Sequence, residues 1–155
     1  MSSKKNGLYL ETTSIDPSKT VGEIHALLMR AGAGKIMTEQ SGGKIIAMQF
    51  TMQTPRGEVP FCLPVQSEPI FTLLQKRHSP NLREKNKIHD RLQAERIAWR
   101  LVFRWLQAQI AFIETGMVTT VEVFLPYVAM SSGVTFYKQI EAAGFKSLPL
   151  LEEKR

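Results

Sequence analysis

The stretch from Arg91 to Thr115 most constrains what this chain can fold into. It is 25 residues long, carries apolar positions at helical spacing and is stopped by Gly116. The rest of the domain is expected to form around that helix. At about 100° per residue, Ala94, Ala98, Leu101, Trp105, Ala108 and Phe112 share one stripe, read as the core face. Arg96, Arg100 and Arg104 recur at i, i+4 and i+8 on the opposite side, with Leu92, Trp99, Phe103 and Ile110 beside them. The apolar arc is wider than one packing face needs, which points to self-association as a homo-oligomer.

Three runs rich in β-forming residues precede this helix: Lys35–Gln40, Lys44–Gln53 and Val59–Val65. Ser41-Gly42-Gly43 and Thr54-Pro55-Arg56-Gly57-Glu58 separate them and read as hairpin connections. In the central run Ile46, Met48, Phe50 and Met52 alternate with Ile45, Ala47, Gln49, Thr51 and Gln53, so the first set is expected on the packed face. Leu8–Thr13 reads as a short strand. Thr20-Val21-Gly22-Glu23 matches a capping box for a first helix that ends near Gly32. Ser67-Glu68-Pro69 opens a second helix, with Lys76-Arg77-His78 at its C-terminal end. Residues 79–90 are polar and contain Pro80, so they read as an exposed basic loop. Thr119–Met130 fits either a strand or a helix bent by Pro126, and Thr135–Ala143 fits a last helix stopped by Gly144. The expectation is a single α+β domain over 1–155, an antiparallel meander of three to four strands packed against helices with one long central helix.

Composition narrows the function. With 155 residues, 43% apolar and 22% charged, the chain has the make-up of one soluble globular domain, not a disordered tail or a collagen-like repeat. The start, Met1 to Gly7, lacks a secretory core, and Ile97–Ile113 is interrupted by Arg100, Arg104, Gln107 and Gln109, so no membrane span is expected. Cys62 has no partner for an internal disulfide, which fits a reducing cytoplasm. With Phe61, Leu63 and Pro64 around it, Cys62 reads as a small buried hydrophobe, the alternative being a reactive thiol.

The net charge of +6 is localised. Lys76–Arg104 holds nine basic and three acidic residues, while the other 126 residues hold eleven of each sign. A local excess creates the field that a polyanion requires. Lys85, Lys87, Arg91, Arg96, Arg100 and Arg104 are the candidate phosphate contacts, since guanidinium groups bind phosphate with two parallel hydrogen bonds. Trp99 and Phe103 are candidates to stack exposed bases, as in single-strand binders, the alternatives being core or oligomer interface.

Catalytic signals are weak. Asp16 and Asp90 are far apart in turn or loop contexts, and His25, His78 and His89 lack zinc-site spacing, so no catalytic residue, metal or other cofactor is assigned. Ala31-Gly32-Ala33-Gly34-Lys35 is compared with a phosphate-binding loop. It has Met29 in place of the first glycine, Ile36 after the lysine, and a helix before it instead of after it. It reads as a helix cap and turn.

Thr20-Val21-Gly22-Glu23-Ile24, Ala94-Glu95-Arg96-Ile97-Ala98-Trp99-Arg100 and Glu122-Val123-Phe124-Leu125-Pro126-Tyr127 resemble segments of small uncharacterised proteins of phages and mobile elements. That resemblance implies no defined activity and assigns no functional residue. A helix, a three-strand meander and a long basic helix are also similar in order to the β-β-β-α core of Rad52-like single-strand annealing proteins, which favours annealing among nucleic-acid roles. The expectation is a non-catalytic protein that binds nucleic acid, single-stranded DNA above all, in a mobile-element context. The alternative is an interaction module that sets its basic face against an acidic protein partner, such as a phage-encoded inhibitor or adaptor.

Overall fold

The computed structural model describes residues 7–77 and 83–149, with side chains from residue 86 onward in the second stretch. The order is α1 (Pro17–Arg30), β1 (Ile36–Ser41), β2 (Lys44–Thr54), β3 (Gly57–Cys62), α2 (Glu68–Arg77), α3 (Arg83–Glu114), α4 (Thr120–Phe124) and α5 (Phe136–Ala142), with a short 3-10 turn at Leu125–Tyr127. The fold is α+β: one three-stranded antiparallel sheet in the order β1-β2-β3, with helices packed around it.

Each helix end follows from local chemistry. α1 begins one turn earlier than the capping-box reading had it. Asp16 is the N-cap, accepting from the Ser18 backbone N–H at 2.8 Å, and Pro17 fills the first turn, where a missing N–H costs nothing. Thr20 is therefore an interior, fully buried residue. At the other end Gly32 takes φ 93°, and the N–H of Ala33 reaches back to the Leu28 carbonyl, closing a Schellman turn. Leu8–Thr13 forms two successive turns instead of a strand, with the N–H of Glu11 on the Leu8 carbonyl and that of Thr13 on the Leu10 carbonyl.

The sheet forms where the β-rich runs lie. Gly42 and Gly43, at φ 57° and 76°, make the two-residue turn between β1 and β2, a conformation that favours glycine at both positions. The alternation of β2 breaks once. Glu39 pairs with Ala47 but Gln40 pairs with Ile45, so Ile46 is the extra residue of a β-bulge. Beyond the bulge the faces exchange. Met48, Phe50 and Met52 are buried as expected, but Ile45 packs against the core and Ile46 turns to solvent. The outer edge of β3 is covered by Val128 and Ala129, the latter donating to the Pro60 carbonyl at 2.9 Å.

Two regions read differently in the sequence become helix. Residues 83–90 belong to α3, so the expected basic loop is helical from Arg83 onward, and residues 79–82 lie outside the described part. The reason is tertiary: Asp90 is buried against α2, where the Gln75 amide donates to it at 2.6 Å. Thr119–Met130 resolves as α4, capped by Thr119 accepting from the Glu122 N–H, followed by the turn at Pro126.

α3 is the central support, but the face it gives to the main core is rotated by more than a third of a turn from the expected stripe. Trp99, Val102, Phe103, Leu106 and Ile110 are buried with α1 and the sheet in the main core, while Ala108 and Phe112 are exposed. Ala94 and Ile97 form a second cluster with Leu74 of α2. Two packing partners on different sides thus take up much of the wide apolar arc, while Ile88, Leu92 and Phe112 stay exposed. Phe50, Phe61 and Phe124 close the main core with ring centroids 5.4 to 5.6 Å apart, and Trp105 lies edge-on to Phe124.

Candidate nucleic-acid interface

The structure separates the candidate basic residues into two groups. Arg91 and Arg100 are nine positions apart, which places them on opposite sides of α3. Arg91 belongs to the α2 side: its guanidinium pairs with Glu68 at 2.6 Å and lies 4.0 Å from the centre of the Phe71 ring. Lys87 is exposed one turn before it. The side chain of Lys85 lies outside the described part.

Arg96, Arg100 and Arg104 stay together, beside α1. Arg100 is buried and donates to Glu23 of α1 at 2.6 Å, with the Phe103 ring 4.8 Å away. Arg96 is half-buried near Asp16 and donates to Gln93 at 3.3 Å. Arg104 is exposed and donates to Gln107 at 3.1 Å. Asp16 lies across the same cleft from Arg96, and Glu23 bonds Arg100, in the same order along both helices, so α1 and α3 lie side by side in the same direction.

That placement recruits two cations the sequence reading did not single out. Lys19, Glu23 and Arg30 fall within about 40° of one another around α1, so the flank that sends Glu23 to Arg100 also carries Lys19 and Arg30, both exposed. Among the described residues Lys19, Arg30, Arg96 and Arg104 make no ion pair. The seam between the two helices thus holds five cations around two acids, Asp16 and Glu23. Their spacing on α1 was visible in the sequence, but that this flank faces α3 was not. The Asp16 carboxyl is held below its usual range chiefly by the Ser18 hydroxyl, then by the Ser18 N–H, so it stays charged as a helix cap.

Trp99 and Phe103 do not present faces for base stacking. They retain 3% and 7% of their surface and belong to the main core. Their position next to the arginine row is the flank that α1 and the hairpin cover.

At the N-terminal end of the seam lies a cleft of about 360 Å³, between the first turn of α1, the tip of the β1–β2 hairpin and α3. Val21, Ile45, Leu92 and Trp99 supply its apolar lining, and Arg96 stands in its wall. Lys44 at the hairpin tip pairs with Glu95 of α3 at 3.0 Å, a strut shared with a smaller pocket of about 140 Å³ on its other side.

Elsewhere the chemistry is spare. Cys62 is half-buried, and burial pushes its thiol pKa up, which suits a packing residue better than a nucleophile. His25 is exposed on the outer side of α1, not built into the core as a structural histidine would be. Among the described residues no three His, Cys, Asp or Glu cluster in a way that could hold a metal ion, and no helix is long and apolar enough to cross a membrane. No protein-family model matches the chain, and comparisons with curated proteins and with solved structures give no match either.

Proposed function

We propose that this protein binds nucleic acid without catalysis, preferring single-stranded DNA, by laying the phosphate backbone along the α1–α3 seam. The observation that carries this reading is the row of Lys19, Arg30, Arg96 and Arg104, none of them ion-paired among the described residues, flanking the Arg100–Glu23 pair. Arg96 and Arg104 lie about 12 Å apart along α3, and Lys19 and Arg30 about 16 Å apart along α1, so the positive charge extends along the length of the seam. Arg100, already neutralised by Glu23, orders the seam and does not act as a phosphate contact. Arg91 serves the α2–α3 contact.

The test is binding of a fluorescent oligothymidylate at several salt concentrations. With about four phosphate contacts on a single strand, affinity should fall about fifty-fold between about 50 and 200 mM salt. The double change Arg30→Glu and Arg104→Glu removes two exposed cations and should weaken binding by at least about tenfold at low salt. Absence of binding at 50 mM salt overturns the proposal. Equal affinity for polyglutamate of matched charge transfers the seam to an acidic protein partner.

A further inference from the structure

The cleft at the head of the seam combines apolar walls with polar groups at its edge. Trp99 is 97% buried, given its 3% exposure, and the surface it keeps opens on this cleft and the smaller pocket beside it. Its indole N–H makes no hydrogen bond to another described residue and is not among the polar atoms sealed from solvent without a partner, so it reaches water. A ligand acceptor atom in the cleft can take the place of that water. The carboxylates in the wall are already engaged, Asp16 by Ser18 and Glu95 by Lys44. Arg96 belongs both to the cleft wall and to the seam.

We infer that the cleft receives one unstacked base of the bound strand. The inference rests on the nucleic-acid reading of the seam and adds to it where a base goes. Apolar walls from Val21, Ile45 and Leu92 cover the ring. The Trp99 N–H donates to a base carbonyl oxygen or ring nitrogen, and Gln40 at the hairpin tip can donate or accept at the ring edge. Arg96 holds the adjoining phosphate. The volume, about 360 Å³, lies at the small end of the range for ligand pockets, about 300–1,000 Å³, which suits a base and part of its sugar better than a larger group. An aliphatic side chain would displace the water on the indole N–H without replacing its hydrogen bond, and a cation would lack a free carboxylate.

The experiment compares oligothymidylate with an abasic oligonucleotide of the same length and charge, using the full chain at about 50 mM salt. The base-bearing strand should bind about tenfold more tightly, the scale of one base seated in a protein contact, with the same salt slope. Leu92, 40% exposed, is the wall residue to enlarge: Leu92→Trp fills the cleft and should abolish the difference while leaving abasic affinity unchanged. Equal binding of both strands by the wild-type protein overturns the base inference and leaves the seam intact. So does a difference that survives in a folded Leu92→Trp variant, with folding checked by circular dichroism. Failure of both strands to bind overturns the seam as well.

Discussion

Arg100 shows how a side chain can belong to a basic row and yet serve packing. It is 8% exposed, its charge met by Glu23 and its guanidinium set against Phe103. Removing the acid leaves a buried cation unpaired, so Glu23→Ala should cost about 2–3 kcal/mol in urea unfolding, less than for a fully buried pair because Glu23 is partly solvated. Adding Arg100→Met should recover most of that loss, since an apolar group of similar reach replaces the stranded charge. Cys62 has a thiol whose pKa is raised by burial, so the folded protein resists losing that proton. Stability from this group is complete below the unfolded thiol's pKa and declines as pH rises through the higher folded value. Iodoacetamide at pH 8 should accordingly label Cys62 more slowly than a free cysteine, and urea should restore the rate.

At the scale of elements, the β-bulge decides which isoleucine of the hairpin is structural. Strict alternation puts Ile46 inward with Met48 and Phe50, whereas the bulge turns Ile45 inward and leaves Ile46 47% exposed. Ile46→Ser should therefore change stability by less than about 0.5 kcal/mol, and Ile45→Ser should cost about 1–2 kcal/mol for the apolar area returned to water. Denaturant titration reads both, and the reverse order would mean that the bulge is absent in solution. The period of 2 in β2 was legible, but a bulge adds one residue with no mark in the side-chain pattern. α1 carries a similar lesson. Thr20 and Glu23 have the spacing of a capping box, yet Asp16-Pro17 one turn earlier supplies both a cap and a first-turn proline, and Glu23 goes to Arg100.

For the whole molecule, the sequence by itself determined the class, the three β runs and their turns, and the glycines that end α1, α3 and α5 at Gly32, Gly116 and Gly144. These are local properties: β propensity, paired glycines at a tight turn and positive φ at a helix end act over a few residues. The arginine row was local too, because i, i+4 spacing alone places Arg96, Arg100 and Arg104 on one side of a helix. Tertiary structure decided which side faced what. α3 is apolar over so wide an arc that its periodicity is compatible with either face inward, and only the positions of α1, α2 and the sheet select Trp99, Phe103 and Leu106 for the main core. The same choice buries Trp99 and Phe103, so neither offers a face for stacking, sends Arg91 to Glu68, and turns the α1 flank that carries Lys19 and Arg30 toward the arginine row through Glu23. Charge and period are written along the chain; the seam and the cleft come from contacts between segments some 80 residues apart, which no local pattern encodes.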